Sequence, residues 1–278
     1  MITINAEKIQ EFTIFLNEME YSAATISKYA HDISILSDYA GGQICDKMHL
    51  VGFRKYLEEK KYSIGSINSM LGAVNKFMEF CGVDWKLRYE KVQRKNFLPP
   101  EKELSKEEYM RLINIANELG KLRLAMLIQT LCALGIRVSE LKAITVESLL
   151  CGEAFIQSKG KVRAILIPAP LVEKLQAYCH DRGIATGPIF ITRTGKPMDR
   201  SNIWKMIKRL GELAKVAAKK VFPHNLRHLF VRTYYQMFGD ALRLADILGH
   251  SSIDTTRIYT AHSGREERRQ IAQLGLLL

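Results

Sequence analysis

Apolar side chains recur at helical spacing along the first third of the chain, at Ile9, Phe12, Leu16 and Met19, at Ile26, Tyr29, Ile33, Leu36 and Ala40, and at Ile64, Ile67, Leu71, Val74 and Met78. Residues three or four apart share one face of a helix, so each set predicts an amphipathic helix. A shorter helix is predicted around Phe53, Tyr56 and Leu57. Residues 1–92 therefore read as a small all-helical domain. Residues 93–104 read as a linker, because Gln93 to Lys102 is polar and cationic and carries the pair Pro99-Pro100, which cannot continue a helix. A second domain, 105–278, opens at Ser105, three residues before Glu108, which is capping-box spacing. Leu122 to Leu134 is apolar nearly all round, so it predicts a central core helix with Arg137 just past its end. Two strand-like runs follow, Ala154 to Ser158 and Ala164 to Ile167, joined by Lys159-Gly160-Lys161-Val162-Arg163. Helical spacing resumes from there to Leu278, so the expected fold is mainly α with a small β-sheet, an all-helical N-terminal domain plus an α+β second domain.

Composition narrows the partner. Against 29 Asp and Glu stand 41 Lys and Arg, a formal charge of +12, which favours a polyanion: nucleic acid first, an acidic membrane surface second. No apolar run approaches the roughly 20 residues of a spanning helix, and Met1 to Asn5 lacks the charged and apolar regions of a signal peptide. The expectation is a soluble, cytoplasmic protein without a membrane partner. The 5 cysteines are scattered with no metal-type or redox-type spacing, and are expected to be buried free thiols.

The candidate chemistry lies in three segments of the second domain and one turn. His224 and Arg227 stand three apart behind Pro223, which predicts imidazole and guanidinium on one face of a first helical turn, with Leu226, Phe230 and Met237 on the buried side. Free N–H groups and the positive dipole end favour a phosphate there. Taken singly, each residue has a plainer reading. Arg137 beside Glu140 suits a structural ion pair, His250 after Gly249 a capping residue, Tyr259 a packing residue, and Lys159 an exposed lysine in a hairpin turn. Their order along the chain, with His250 nine positions before Tyr259, favours a joint reading as a phosphate clamp with a nucleophile.

These segments resemble the tyrosine recombinases, the phage integrase and Xer-like site-specific DNA recombinases, over nearly the whole chain. Ala133-Leu134-Gly135-Ile136-Arg137-Val138-Ser139-Glu140-Leu141 is similar to the family's first arginine motif, His224-Asn225-Leu226-Arg227-His228 to its H-x-x-R motif, and Leu248-Gly249-His250 through Tyr259 to its L-G-H and nucleophilic tyrosine. Ser158-Lys159-Gly160 is similar to its hairpin-lysine turn, with Lys161 as the other choice, and the helical N-terminal region resembles its core-binding domain.

The resemblance implies that Tyr259 attacks a phosphodiester to give a 3′-phosphotyrosyl intermediate. Arg137, Arg227 and His250 would stabilise the charge, Lys159 would protonate the leaving oxygen, and His224 would position or act as base. It implies no cofactor, neither ATP nor metal. It further implies double-stranded DNA as partner, a homo-tetramer that works through a Holliday junction, a docking segment after Tyr259 such as Arg265 to Leu274, and possible accessory DNA-binding proteins. A type IB topoisomerase-like strand transferase is the nearest alternative. A non-catalytic DNA-binding regulator is the more distant one.

Overall fold

The computed structural model describes residues 1–91, 100–158, 161–249 and 272–273 of the chain. The chain forms two compact units, Met1–Arg94 and Lys95–Leu278. Among the described residues no helix is long and apolar enough to cross a membrane.

Among the described residues the first unit holds four helices, α1 (Ala6–Glu18), α2 (Ala23–Ala40), α3 (Lys47–Glu59) and α4 (Ile64–Phe80). Each opens on a short polar residue, Asn5, Ser22, Asp46 and Ser63, whose side-chain oxygen accepts the backbone N–H three positions on. That contact satisfies a donor the helix itself cannot pair, and its loss costs about 1 kcal/mol. The apolar stripes meet in a core where Phe12 stands edge-on to Phe77 at 5.1 Å, surrounded by Leu16, Ile33, Leu36, Phe53 and Val74. In addition to the helices, β1 (Ile2–Thr3) pairs antiparallel with β2 (Gln43–Ile44). Two residues are too few to show an alternating pattern in sequence.

Two asparagines of α4 fix the chain that leaves it. Asn75 accepts from Leu87 N at 2.8 Å and donates to Leu87 O at 3.0 Å, and Asn68 does the same for Glu90 at 2.8 and 2.9 Å. Each amide imitates a strand partner, so the backbone polar groups at Leu87 and Glu90 stay satisfied without a sheet.

The second unit is built on α5 (Lys106–Glu118), α6 (Leu122–Leu134), α7 (Val146–Cys151), α8 (Ala169–Arg182), α9 (Arg200–Leu213), α10 (Pro223–Phe238) and α11 (Ala241–Leu248). The Ser105/Glu108 capping box is present at the start of α5. Helix α6 is central, packed against α5, α8 and α10, with residues such as Leu127, Ile128 and Leu131 buried. A hairpin, β3 (Glu153–Ser158) and β4 (Lys161–Leu166), lies beside these helices, with Ser158 opposite Lys161. The connection is thus shorter than the five residues expected from sequence, because Val162 and Arg163 belong to β4 and pair with Gln157 and Ile156. β-branched Val162 suits a pleated strand better than a turn. The segment before α5 is tied to α10: Asn225 donates to Lys102 O at 2.7 Å, Arg232 donates to Leu104 O at 2.6 Å, and Arg232 also pairs with Glu103.

Candidate active site

Helix α6 ends at Gly135 in the left-handed region, φ 58°. The chain then turns so that Ile136 is buried and Arg137, 43% exposed in its side chain, faces a cleft. Glu140 fixes this turn. Its carboxylate accepts Arg137 N at 2.7 Å, Arg137 Nη1 at 2.8 Å and Arg163 Nη2 at 2.8 Å. Burial alone would raise the Glu140 pKa, but the hydrogen bonds from Arg137 and the charges of Arg163 and Arg137 outweigh it and hold the group below the usual carboxylate range.

Arg137 lines a cleft of about 370 Å³ together with Ser139, Arg200, Trp204, His224 and Arg227. It collects residues from the α6 end, from α9 and from the first turn of α10. Pro223 starts α10 as expected from sequence, and the preceding Phe222 gives no side-chain cap. His224 is exposed and its ring stands edge-on to His228 at 4.5 Å. Desolvation by the cleft walls, then the charges of Arg227, Arg137 and Arg200, lower the His224 pKa. Because the residue is exposed, guanidinium repulsion is the more durable of these causes. His224 is therefore neutral at pH 7, able to accept a proton or a hydrogen bond.

Arg227 lines the same cleft as His224, as the spacing predicts, but its side chain is buried. It is 2% exposed, and its Nη1 and Nη2 donate to Gly135 O at 2.6 Å and Leu248 O at 3.0 Å. The guanidinium thus ties the end of α6 to the end of α11 while bordering the cleft. Leu226 is buried as expected, but Met237 is 70% exposed, since the buried face of α10 runs through Leu229 and Val231. Gly249 caps α11 in the left-handed region, φ 62°. Cys45 and Cys151 are exposed, unlike the buried Cys132 and Cys179.

Lys159, His250 and Tyr259 lie outside the described residues, as do the Pro99 side of the linker and the segment from Arg265 apart from Ala272 and Gln273. The structure therefore brings together Arg137, His224 and Arg227. It adds three residues that sequence reasoning passed over: Arg163, Arg200 and Trp204. Only Trp204 carried a signal, an aromatic on an amphipathic helix with Lys208 Nζ 5.3 Å from its ring centroid. Among the described residues no group of His, Cys, Asp and Glu could hold a metal ion.

Comparison with known proteins agrees with this architecture. Residues 102–266 match the phage integrase family, and residues 9–81 match the N-terminal SAM-like domain of phage integrases. Tyrosine recombinase XerA of Pyrococcus furiosus is 28% identical over 285 residues, covering 99% of this chain and 96% of XerA. The fold is shared with the Tn1549 transposon integrase in complex with circular intermediate DNA, at a TM-score of 0.75 and 18% identity over 96% of this chain and 99% of that one. It is also shared with XerH bound to palindromic difH substrate in a post-cleavage complex, at a TM-score of 0.71 and 20% identity over 89% and 79% of the two chains. With the family match spanning more than half of its length, the chain belongs to the phage integrase family of tyrosine recombinases and is an enzyme of site-specific DNA recombination.

Proposed function

We propose that this recombinase cleaves DNA with Tyr259 as nucleophile and with Arg137, Lys159, His224, Arg227 and His250 as the groups that serve it. The observation that carries the reading is the convergence of Arg137, His224 and Arg227 on one cleft from segments far apart in the chain. The Tyr259 oxygen attacks a scissile phosphorus and the bond to the 5′ oxygen breaks, leaving a 3′-phosphotyrosyl ester. Charge that grows on the non-bridging oxygens meets guanidinium donors held in place before the reaction, which favours the transition state over the bound substrate. Arg137 is the exposed donor. Arg227, anchored on two carbonyls, contributes its positive charge from the cleft floor, and His250 adds a hydrogen bond. Lys159 protonates the departing 5′ oxygen, and neutral His224 positions the tyrosine or takes its proton. The ester conserves the energy of the broken bond, so religation to another 5′ hydroxyl needs neither ATP nor a metal.

The wider assembly belongs to the same proposal. Residues 1–92 form a core-binding domain that holds double-stranded DNA, 93–104 link it to the catalytic domain, and the segment after Tyr259 docks on a neighbouring protomer. A homo-tetramer on DNA exchanges strands through a Holliday junction in the cytoplasm, with accessory DNA-binding proteins as further partners. The +12 charge and the DNA complexes of the structural relatives support a DNA-enclosing arrangement.

Incubation with nicked suicide DNA tests the reading. The wild-type protein should become covalently attached, while Tyr259→Phe, which keeps the ring and loses the oxygen, should bind the site within about threefold and form no adduct. An adduct in Tyr259→Phe would move the nucleophile to another residue. Relaxation of plasmid without a specific site would favour the topoisomerase-like alternative.

A further inference from the structure

Arg163 has no part in the chemistry above, yet it touches both ends of the cleft's framework. Its Nη2 donates to Glu140 Oε2 at 2.8 Å, on the carboxylate that also holds Arg137. Its Nη1 donates to Ile247 O, in the last turn of α11. Its Cδ packs so closely on Gly249 that a Cβ there would lie at 2.5 Å. One side chain of the hairpin thus spans the arginine turn and the point where α11 gives way to His250. Only a fork of donors can do this, since an ammonium is a point charge that can satisfy one of the two partners well. An ion pair placed for stability alone would need a single partner, and buried pairs of that kind often contribute little against an apolar replacement.

We propose that Arg163 is a positioning residue for strand cleavage: through Glu140 it sets the Arg137 guanidinium, and through Ile247 O it sets the end of α11 from which His250 and Tyr259 follow. The inference rests on Arg137 and Tyr259 serving as assigned above. Its signature is a loss of rate at full occupancy of the DNA site, because Arg163 itself is directed to Glu140 and Ile247 and not to substrate.

The test compares Arg163→Met, which keeps the aliphatic stem beside Gly249, with Arg163→Lys. Single-turnover cleavage of nicked suicide DNA at saturating protein should slow by about 10- to 100-fold in Arg163→Met, the range expected from losing hydrogen bonds to charged groups, with Kd for the site within about threefold. Arg163→Lys should fall between Arg163→Met and wild type. Cleavage by Arg163→Met within about threefold of wild type, or a Kd that weakens as much as the rate, would overturn the proposal. Should Arg163→Met fail to fold, Arg163→Lys decides alone, and a wild-type rate in it counts against the proposal. Hydrogen exchange of the DNA-free protein tests the positioning role independently of the reaction. Amides of residues 137–141 and 244–249 should exchange faster in the variant while those of α8 keep their protection. Equal exchange at both places would refute the positioning role even if Tyr259 proved not to be the nucleophile.

Discussion

Gly135→Ala tests how the arginine turn and α10 are fitted together. Gly135 has φ +58°, and an added Cβ would lie 2.4 Å from Phe230 Cδ1 and 2.8 Å from Cε1. Two costs then add. A left-handed conformation with a Cβ costs roughly 1–2 kcal/mol, and forcing the Phe230 ring aside costs about 1–3 kcal/mol as overpacking. The catalytic unit should therefore lose about 2–5 kcal/mol. Gly152→Ala separates the two parts, because Gly152 has φ +72° with nothing within 4 Å of the added Cβ. That control should lose only the conformational cost of about 1–2 kcal/mol. Urea unfolding followed through Trp204 fluorescence, in a Trp85→Phe background so that the first unit is silent, measures both. Adding Phe230→Leu to Gly135→Ala should return part of the loss, since the ring is the obstacle. If Gly135→Ala proved no more costly than Gly152→Ala, the close approach of Phe230 would not be a constraint and the argument would fail. Arg227 Nη1 donates to the Gly135 carbonyl, so the same variant should also slow cleavage.

A bridging 5′ sulfur at the scissile position leaves as a thiolate without needing a proton, so it should restore cleavage by Lys159→Ala and not by Arg137→Ala. If Lys161→Ala is the variant that fails on oxygen and recovers on sulfur, the acid is Lys161. His228 has its pKa pushed down to about 3, first by burial and then by His224, Arg232 and Arg227. An unfolded histidine binds a proton below about 6.5 while the folded one resists it, so stability should fall as pH drops through that window, by about 2 kcal/mol at pH 5. Urea midpoints of wild type and His228→Gln measured from pH 7 to pH 5 check this, and parallel slopes would contradict it.

The helices were legible because their cores lie on one face: the stripes through Phe12, Ile33 and Val74 reappear as buried rows, and the apolar surround of α6 reappears as a central helix. Local polar devices were legible too. The Ser105/Glu108 box and the Arg137–Glu140 pair depend on residues three apart, a distance that sequence shows directly. What stayed hidden depends on partners far along the chain. Arg163 meets Ile247 across 84 positions and Arg227 meets Gly135 across 92, and no local pattern announces either. The His224/Arg227 spacing placed both residues on one cleft but not the burial of Arg227, which depends on carbonyls at Gly135 and Leu248 far along the chain. Met237 was misassigned since helical spacing identifies a possible buried row, not how far the neighbouring core extends to cover it.

Two acceptors that hold Arg227 are main-chain carbonyls, Gly135 O and Leu248 O, and this sets what drift in sequence can do to those bonds. A side-chain partner can be lost by one base change, but every amino acid brings a carbonyl. These two bonds are thus insulated from most substitutions around them and answer to displacement of the backbone at the two helix ends. A chain whose α11 end lay at a different distance from Gly135 would hold the same arginine at a different setting, so the cleft's readiness would change without a single altered side chain.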